Sequence, residues 1–583
     1  MDIRLALPGS LLLALSACSS PSAGAFPGGD DAGAADNTGD DNGDAAPGTQ
    51  AANGASPDAA PPARRSPPQG TALNDAAECS LVTQGTSGLV LQATLLLPSG
   101  ATAGEVLVGS SGTIECAAAS CASAAGYAAA TKIACSSAVV SPGFVNAHDH
   151  TSYDADPPIA HGDVRYQHRN EWRTGADGAT ALPDPKSTSD TTTLASIELR
   201  FLMSGVTAVV GSGGVGGLVR NLAAYSAPSQ LEGLTGSTVY FDTFPLGDSN
   251  GTILTSGCAY PSVISVSSAF EDGYFAPHFA EGINPGAENE IVCADGQLGL
   301  VTSKTAVIHA VGTNAKDVAA IAKAGASTVW APRSNISLYG DTMPITEMKN
   351  AGVNVALGTD WLPSGSMNEL REFACATAMN TKYFGGAYSD QELVAMATAN
   401  AAKSVGFGSQ IGSLSMGMAA DLVVIATTGA LDFSAPLGAS SEDVALVMRG
   451  GKVLYGDAPL VQAAGGGSTC AALEVCGVAK SVCIDTPSVT LAAVQNVIQS
   501  SYPLFSCRGQ TPPNEPSCVP YRDAYPNGTS ATDQDGDGVA DATDDCPAIF
   551  NPPRSMDDAV QSDVDGDGVG DACDAKPLDA TSH

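Results

Sequence analysis

From Pro142 to Gly358 the chain alternates short apolar runs with helical stretches, and no other feature narrows its possible folds as much. Parallel strands cannot be joined by a tight hairpin. Each needs a crossover, usually a helix that also covers a face of the sheet, so strand–helix alternation predicts an α/β fold with a parallel sheet. Candidate strands are 144–148, 206–210, 238–244, 263–269, 274–279, 305–310, 327–331 and 353–358. Eight such units predict a closed (β/α)8 barrel of the TIM type. Intervening stretches such as "AKDVAAIAKAGA" and "PITEMKNAG" close at Gly, as helix C-termini often do.

On either side of this region the text turns to short β-like runs broken by Gly and Ser. "LVLQATLLL" and "GEVLVGSSGTIECA" precede it, and "IGSLSMGMAADLVVIAT" and "VALVMRGGKVLYGD" follow the helical stretch "DQELVAMATANAAKSVG". The two flanks can pair into a small β-sandwich beside the barrel. At 583 residues the chain is too long for one ordinary domain. The expected division is a signal peptide at 1–18, a linker at 19–75, the sandwich from 76–141 and 405–460, the barrel at 142–404, a Cys-rich segment at 461–530 and a repeat tail at 531–583. Residues 19–75 hold few large apolar side chains, so they cannot bury enough surface to offset the entropy of ordering.

The apolar run from Leu5 to Ala17 is too short to span a membrane and fits a signal peptide. Leu15-Ser16-Ala17-Cys18 resembles the bacterial lipobox, which implies lipidation of Cys18 and an exported protein anchored to the outer membrane, facing the periplasm or the surface. Of 15 cysteines, 14 remain without Cys18, an even number suited to disulfide staples. A net charge of −36 leaves no basic stripe to neutralise phosphates, which excludes nucleic acid as a partner. Oligomeric state is not legible here.

The chain has only seven histidines, and four fall at predicted strand ends. His148 and His150 end the first strand, His278 with Glu281 the fifth, His309 the sixth, and Asp360 the eighth. Reacting groups of such barrels sit at those ends. Side chains at i and i+2 of a strand share a face, so both imidazoles of His-x-His aim at one point while Asp149 turns away. Imidazoles with a carboxylate suit zinc or another divalent transition metal and leave a position for water.

Together "PGFVNAHDH", "HFAE", "VIHAVG", "APRSN", "GTDWLPSGSMNELRE" and "ATANAAKSVGFGSQIGSLSMGMAADLVVI" resemble the amidohydrolase superfamily, in its deaminase, chlorohydrolase and imidazolonepropionase-like branch. The resemblance runs from about 85 to 460. It implies His148, His150, His278 and Asp360 as ligands of one catalytic metal, zinc with iron(II) as the alternative. It also implies Glu281 as proton shuttle, His309 as the residue that orients water or polarises substrate, and Asp360 as proton acceptor. The implied activity is hydrolysis of a non-peptide C–N bond in a small nitrogen compound, a cyclic amide or an amino-heterocycle, by water activated at the metal. Binuclear members bridge two metals with a carboxylated lysine on the fourth strand, and no lysine occurs from Ser187 to Ser303, which favours a single metal.

Two weaker features lie in barrel loops. "RYQHRNEWR" places Arg165, His168, Arg169, Trp172 and Arg173 after the first strand, where they can cap the site and bind an anionic group or simply pair internally. "GSGGVGG" satisfies GxGxxG at Gly211, Gly213 and Gly216, but no second βαβ unit supports a dinucleotide site.

The tail repeats "DQDGDGVADATDDCP" as "DVDGDGVGDACDAKP". Asp533, Asp535, Asp537, Asp541 and Asp544 recur as Asp563, Asp565, Asp567, Asp571 and Asp574, an oxygen-rich pattern suited to Ca²⁺. It resembles thrombospondin type 3 repeats, which implies calcium binding and a Cys546–Cys573 bridge. The rival to the enzyme is a non-catalytic, calcium-binding adhesion lipoprotein of the envelope. The intact set of six scattered polar residues favours the enzyme.

Overall fold

The computed structural model describes residues 71–74, 76–223, 228–468, 470–484, 486, 489–498 and 502–582. The expected signal peptide, Cys18 and most of the linker lie outside the described residues. No helix among the described residues is long and apolar enough to cross a membrane.

The fold is mixed α/β. Its central strands are β1 (Phe144–Asp149), β2 (Val206–Gly211), β3 (Arg220–Asn221), β4 (Thr238–Asp242), β5 (Gly273–Phe279), β6 (Ala306–His309), β7 (Ser327–Trp330) and β8 (Asn354–Leu357). They pair in parallel as β1-β2-β3 and as β4-β5-β6-β7-β8. Two further parallel bridges, Ala223 with Val239 and Asp149 with Asp360, join the end of one set to the start of the other. Strands such as β2, β6 and β7 are buried on both faces, which is why their text is a run of apolar and small residues rather than an alternation.

One expected strand is absent. Residues 263–269 instead contain a short helix, Val266–Ala269, because Ser265 accepts a hydrogen bond from the Ser268 amide and caps it. The third strand is Arg220–Asn221, which the sequence concealed: it is two residues long and polar. Arg220 is buried against Asp421, and the Asn221 amide donates to the carbonyls of Gly211 and Gly213. The glycine-rich loop is therefore filled by the protein itself. A Cβ at Gly214 would lie 2.6 Å from Glu198 Oε1, and the Val215 and Gly217 amides bond Glu198 and Glu232 rather than facing a phosphate.

The flanking β text forms one hydrogen-bonded sheet of 11 strands, to which both expected pieces of the sandwich contribute. The twelve-residue strand Thr131–Pro142 is the reason: its first half pairs with Cys79–Thr83 and its second half with Leu422–Ala426, so it joins both flanks. The Cys-rich segment contributes a hairpin, Cys470–Val475 and Val478–Cys483, that lengthens this sheet beyond the expected boundary at 460. All 14 cysteines from Cys79 onward pair, as 79–135, 116–121, 258–293, 375–518, 470–483, 476–507 and 546–573.

Candidate metal centre

The C-terminal ends of β1, β5, β6 and β8 bring the rare polar residues together. His148 Nε2 lies 3.2 Å and His150 Nε2 3.5 Å from Asp360 Oδ1, and His150 Nε2 lies 3.3 Å from His278 Nε2. Donors held tetrahedrally at ~2.0–2.1 Å from one ion stand about 3.3–3.4 Å apart, so this spacing fits a divalent transition metal. The donor chemistry fits as well. His278 Nδ1 donates to the Asp242 carbonyl at 3.1 Å, which leaves Nε2 as a lone pair aimed at the cluster. Burial, with the neighbouring histidines, holds His148 and His278 well below the usual imidazole range and His150 down to about 3. All three are thus neutral, the form that ligates metal. Asp149 turns away, accepting from the hydroxyls of Thr151 and Thr359.

Glu281 and His309 stand beside this cluster. His309 Nε2 is 3.7 Å from Glu281 Oε2, and its Nδ1 donates to Asn335 Oδ1 at 3.1 Å. Glu281 Oε1 accepts from the Tyr339 hydroxyl at 2.7 Å, and that hydroxyl accepts from Trp172 Nε1 at 2.9 Å. Burial and the Glu281 charge push the Tyr339 phenol well above its usual range, so it stays a donor. Ser334 Oγ donates to Asp360 Oδ2 at 2.5 Å. One helix, Pro332–Tyr339, therefore supplies a partner to each of Asp360, His309 and Glu281. The motif "APRSN" contains Ser334 and Asn335, yet nothing in their spacing revealed those partners.

The backbone at these strand ends is unusual. Ala280, His309, Ala310 and Asp360 all have positive φ, between 48° and 71°. L residues adopt this region rarely, at a cost of ~1–3 kcal/mol each, and such positions concentrate at functional sites.

Above the cluster opens a cavity of about 830 Å³. His150, His278, Glu281, His309 and Asp360 line it, and Tyr153, Trp172, Phe241, Phe244 and Trp361 give it aromatic walls. The loop "RYQHRNEWR" divides in function. Arg165 bonds the carbonyls of Gly162 and Val164. Arg169 is fully buried, paired with Asp248 at 2.8 Å and Glu290 at 3.2 Å, and His168 caps the helix Arg169–Thr174. Trp172 and Arg173 face the cavity, with Arg173 stacked on Phe244 at 4.1 Å.

In the tail, Asp533, Asp535 and Asp537 converge, as do Asp563, Asp565 and Asp567. Burial and neighbouring aspartates push Asp535 up to about 8 and Asp537 to about 7. The other four lie outside these clusters. Asp541 and Asp571 accept from the amides of Gln534 and Val564, and Asp544 and Asp574 from those of Cys546 and Lys576. They brace the loops.

Residues 265–454 match the amidohydrolase family. The chain is 37% identical over 131 residues to a 5-methylthioadenosine/S-adenosylhomocysteine deaminase of Teredinibacter turnerae, 22% of this chain and 30% of that protein. It is 34% identical over 135 residues to a 5'-deoxyadenosine deaminase of Methanoregula boonei, again 22% and 30%. The chain thus matches 30% of the length of these curated relatives. Among solved structures it is similar to an adenosine deaminase from Xanthomonas campestris with bound zinc, at 18% identity and a TM-score of 0.45, over 72% of this chain and 98% of that one.

Proposed function

We propose that this chain is an exported, metal-dependent hydrolase of non-peptide C–N bonds. The observation that carries this is the convergence of three imidazole nitrogens and one carboxylate oxygen at tetrahedral spacing on the floor of a large cavity. The family match over residues 265–454, which spans His278, Glu281, His309 and Asp360, supports the reaction class. Amino-heterocycles are favoured over cyclic amides as substrates, a reading supported by the deaminase names of the curated relatives. The aromatic walls suit a planar ring.

His148, His150, His278 and Asp360 would hold one divalent transition metal, zinc with iron(II) as the alternative. When bound, it supplies Lewis acidity and lowers the pKa of coordinated water to about 7. Asp360, fixed through Oδ2 by Ser334, accepts the proton of the attacking water. His309, fixed through Nδ1 by Asn335, presents Nε2 to orient that water. Glu281, fixed by Tyr339, delivers a proton to the departing nitrogen.

Three wider assignments belong to the same proposal. The eight parallel strands form a closed barrel, supported by the bridges at Ala223–Val239 and Asp149–Asp360. The tail binds Ca²⁺ through its two aspartate trios, supported by their mutual crowding. Export with a lipid anchor at Cys18 is supported by seven disulfides, which persist in oxidising compartments.

The test is metal analysis of the purified full chain with a screen of amino-heterocycles, hydantoins and cyclic amides, repeated on His148→Ala. Loss of metal and of turnover together is expected. Unchanged metal content in the variant overturns the assignment.

A further inference from the structure

The helix Pro332–Tyr339 carries the partners of all three reacting groups, so whatever fixes this helix also fixes the site. Much of what fixes it comes from the far end of the chain. At its start, the Arg333 guanidinium donates to the Pro516 carbonyl and lies 3.5 Å from Glu515, which also pairs with Arg371. At its end, Arg522 donates to the carbonyls of Tyr339 at 2.5 Å and Tyr166 at 3.0 Å. Gly340 lets the two backbones meet: a Cβ there would lie 2.2 Å from the Tyr521 carbonyl oxygen. The Cys375–Cys518 disulfide ties this stretch covalently to the helix Glu369–Tyr383.

The segment between the two aspartate repeats reaches the other reacting loops. Arg554, buried and paired with Asp557, donates to the carbonyls of Val311 at 3.2 Å and Thr313 at 3.1 Å, just beyond His309. The hydroxyl of Ser555 and the amide of Met556 both donate to the Ile283 carbonyl, two residues beyond Glu281. Cys546 and Cys573 close the loop that presents these residues.

We propose that the C-terminal extension is a positioning element of the active site, with Arg522 and Arg554 as its positioning residues. Arg522 sets the helix that holds Tyr339, and Arg554 sets the turns that follow Glu281 and His309. These contacts satisfy backbone carbonyls at the end of the helix and in the turns after β5 and β6, next to the positive-φ residues Ala280, His309 and Ala310. The inference rests on the reading of Glu281, His309 and Asp360 as the reacting groups.

The test uses the full chain as wild type, Arg522→Ala, Arg554→Ala, the corresponding Lys variants, and Arg508→Ala as a control in the same extension away from the site. Hydrogen exchange is read first, because it needs neither metal nor substrate. Arg554→Ala is expected to speed exchange of amides in 281–284 and 309–314 at least tenfold, and Arg522→Ala that of 336–340, while Arg508→Ala leaves both unchanged. In the cobalt-loaded protein both Ala variants are expected to keep one ion yet shift the visible spectrum and the pH midpoint of its titration, with Lys restoring part of the shift. On a substrate from the screen, kcat falls at least tenfold with KM within threefold. Faster exchange confined to 515–560, with an unchanged cobalt spectrum, would mean that the tail merely docks, and overturns the proposal. Failure of wild type to bind cobalt overturns the metal reading instead, while the exchange result still decides the tail. If an Ala variant does not fold, its Lys variant, which keeps the charge but not the paired donors, gives the graded form of the same result.

Discussion

Replacing Ser334 with Ala isolates one contact of the metal centre. Ser334 has a single proton and gives it to Asp360 Oδ2, so Ser364, 2.7 Å away, must donate to Ser334 and in turn accept from Trp361 Nε1 at 2.6 Å. Trp361, Ser364 and Ser334 thus form a relay of donors ending on Asp360, a proposed metal ligand. A hydrogen bond to a charged group contributes about 1.5–3 kcal/mol, and at ~1.4 kcal/mol per decade its loss weakens metal binding roughly 10–150-fold. The same range, ~10–100-fold, is typical of partners that orient metal ligands. Ser364→Ala breaks the relay one step farther out, where both groups are neutral, and is expected to cost about a third to a half as much free energy, in line with ~0.5–1.5 kcal/mol for a neutral hydrogen bond. The assay is competition for zinc with a chromophoric chelator at fixed pH, with thermal unfolding as a check on folding. A Ser334→Ala affinity within twofold of wild type would refute the reasoning, and so would a larger loss in Ser364→Ala than in Ser334→Ala.

Tyr339→Phe removes the donor to Glu281 and the acceptor for Trp172, so kcat is expected to fall about 10–100-fold with KM changed less than threefold, read by steady-state kinetics; a change in KM alone would assign Tyr339 to binding instead. Glu347 is buried near Arg554, and burial raises its carboxyl to about 8. Between its unfolded value near 4.3 and about 8 the folded state holds the extra proton, so stability falls as pH rises, by at most about 1.4 kcal/mol per pH unit. Glu347→Gln should therefore match wild type below about pH 4 in denaturant unfolding and exceed it increasingly up to about pH 8; parallel curves would rule this out. In the tail, calcium titration should slow proteolysis within 531–583 in wild type and do so less in Asp535→Asn, whereas equal protection in both would remove the aspartate trio from the calcium assignment.

What the sequence disclosed follows from which signals are periodic. Runs buried on both faces, such as Val206–Gly211 and Ser327–Trp330, are legible because every residue is apolar or small. Arg220–Asn221 was illegible because a two-residue strand has no period, and its side chains are spent on Asp421 and on the glycine loop. The misread stretch 263–269 alternates Ser with apolar residues as an exposed strand would, and only the cap at Ser265 decides for a helix. The convergence of His148, His150, His278 and Asp360 was legible for a different reason: histidines are scarce, and these fall at the ends of predicted parallel strands. Ser334, Asn335 and Tyr339 carry no such rarity. Their roles depend on the rotation of one helix about its axis, which contacts with residues up to 183 positions away help determine.

The strand ends also show how the site is divided mechanically. His150 donates its amide to the Asp360 carbonyl and Asp360 donates its own to the His148 carbonyl, so β1 and β8 are cross-braced at their C-terminal ends. Ala310 bonds the Phe279 carbonyl and Gly312 the Ala280 carbonyl, so the loops after β5 and β6 are cross-braced in the same way. The strand ends bearing His148, His150 and Asp360 thus form one cross-braced unit and those bearing His278, Glu281 and His309 another, with β8 paired through β7 to β6. Between the units, His150 Nε2 approaches His278 Nε2 to 3.3 Å, a meeting of neutral imidazoles that a cation would hold. The helix Pro332–Tyr339 spans both units, through Ser334 to the first and through Asn335 and Tyr339 to the second. The helix that the C-terminal extension contacts at both ends therefore touches Asp360 through Ser334 and Glu281 through Tyr339.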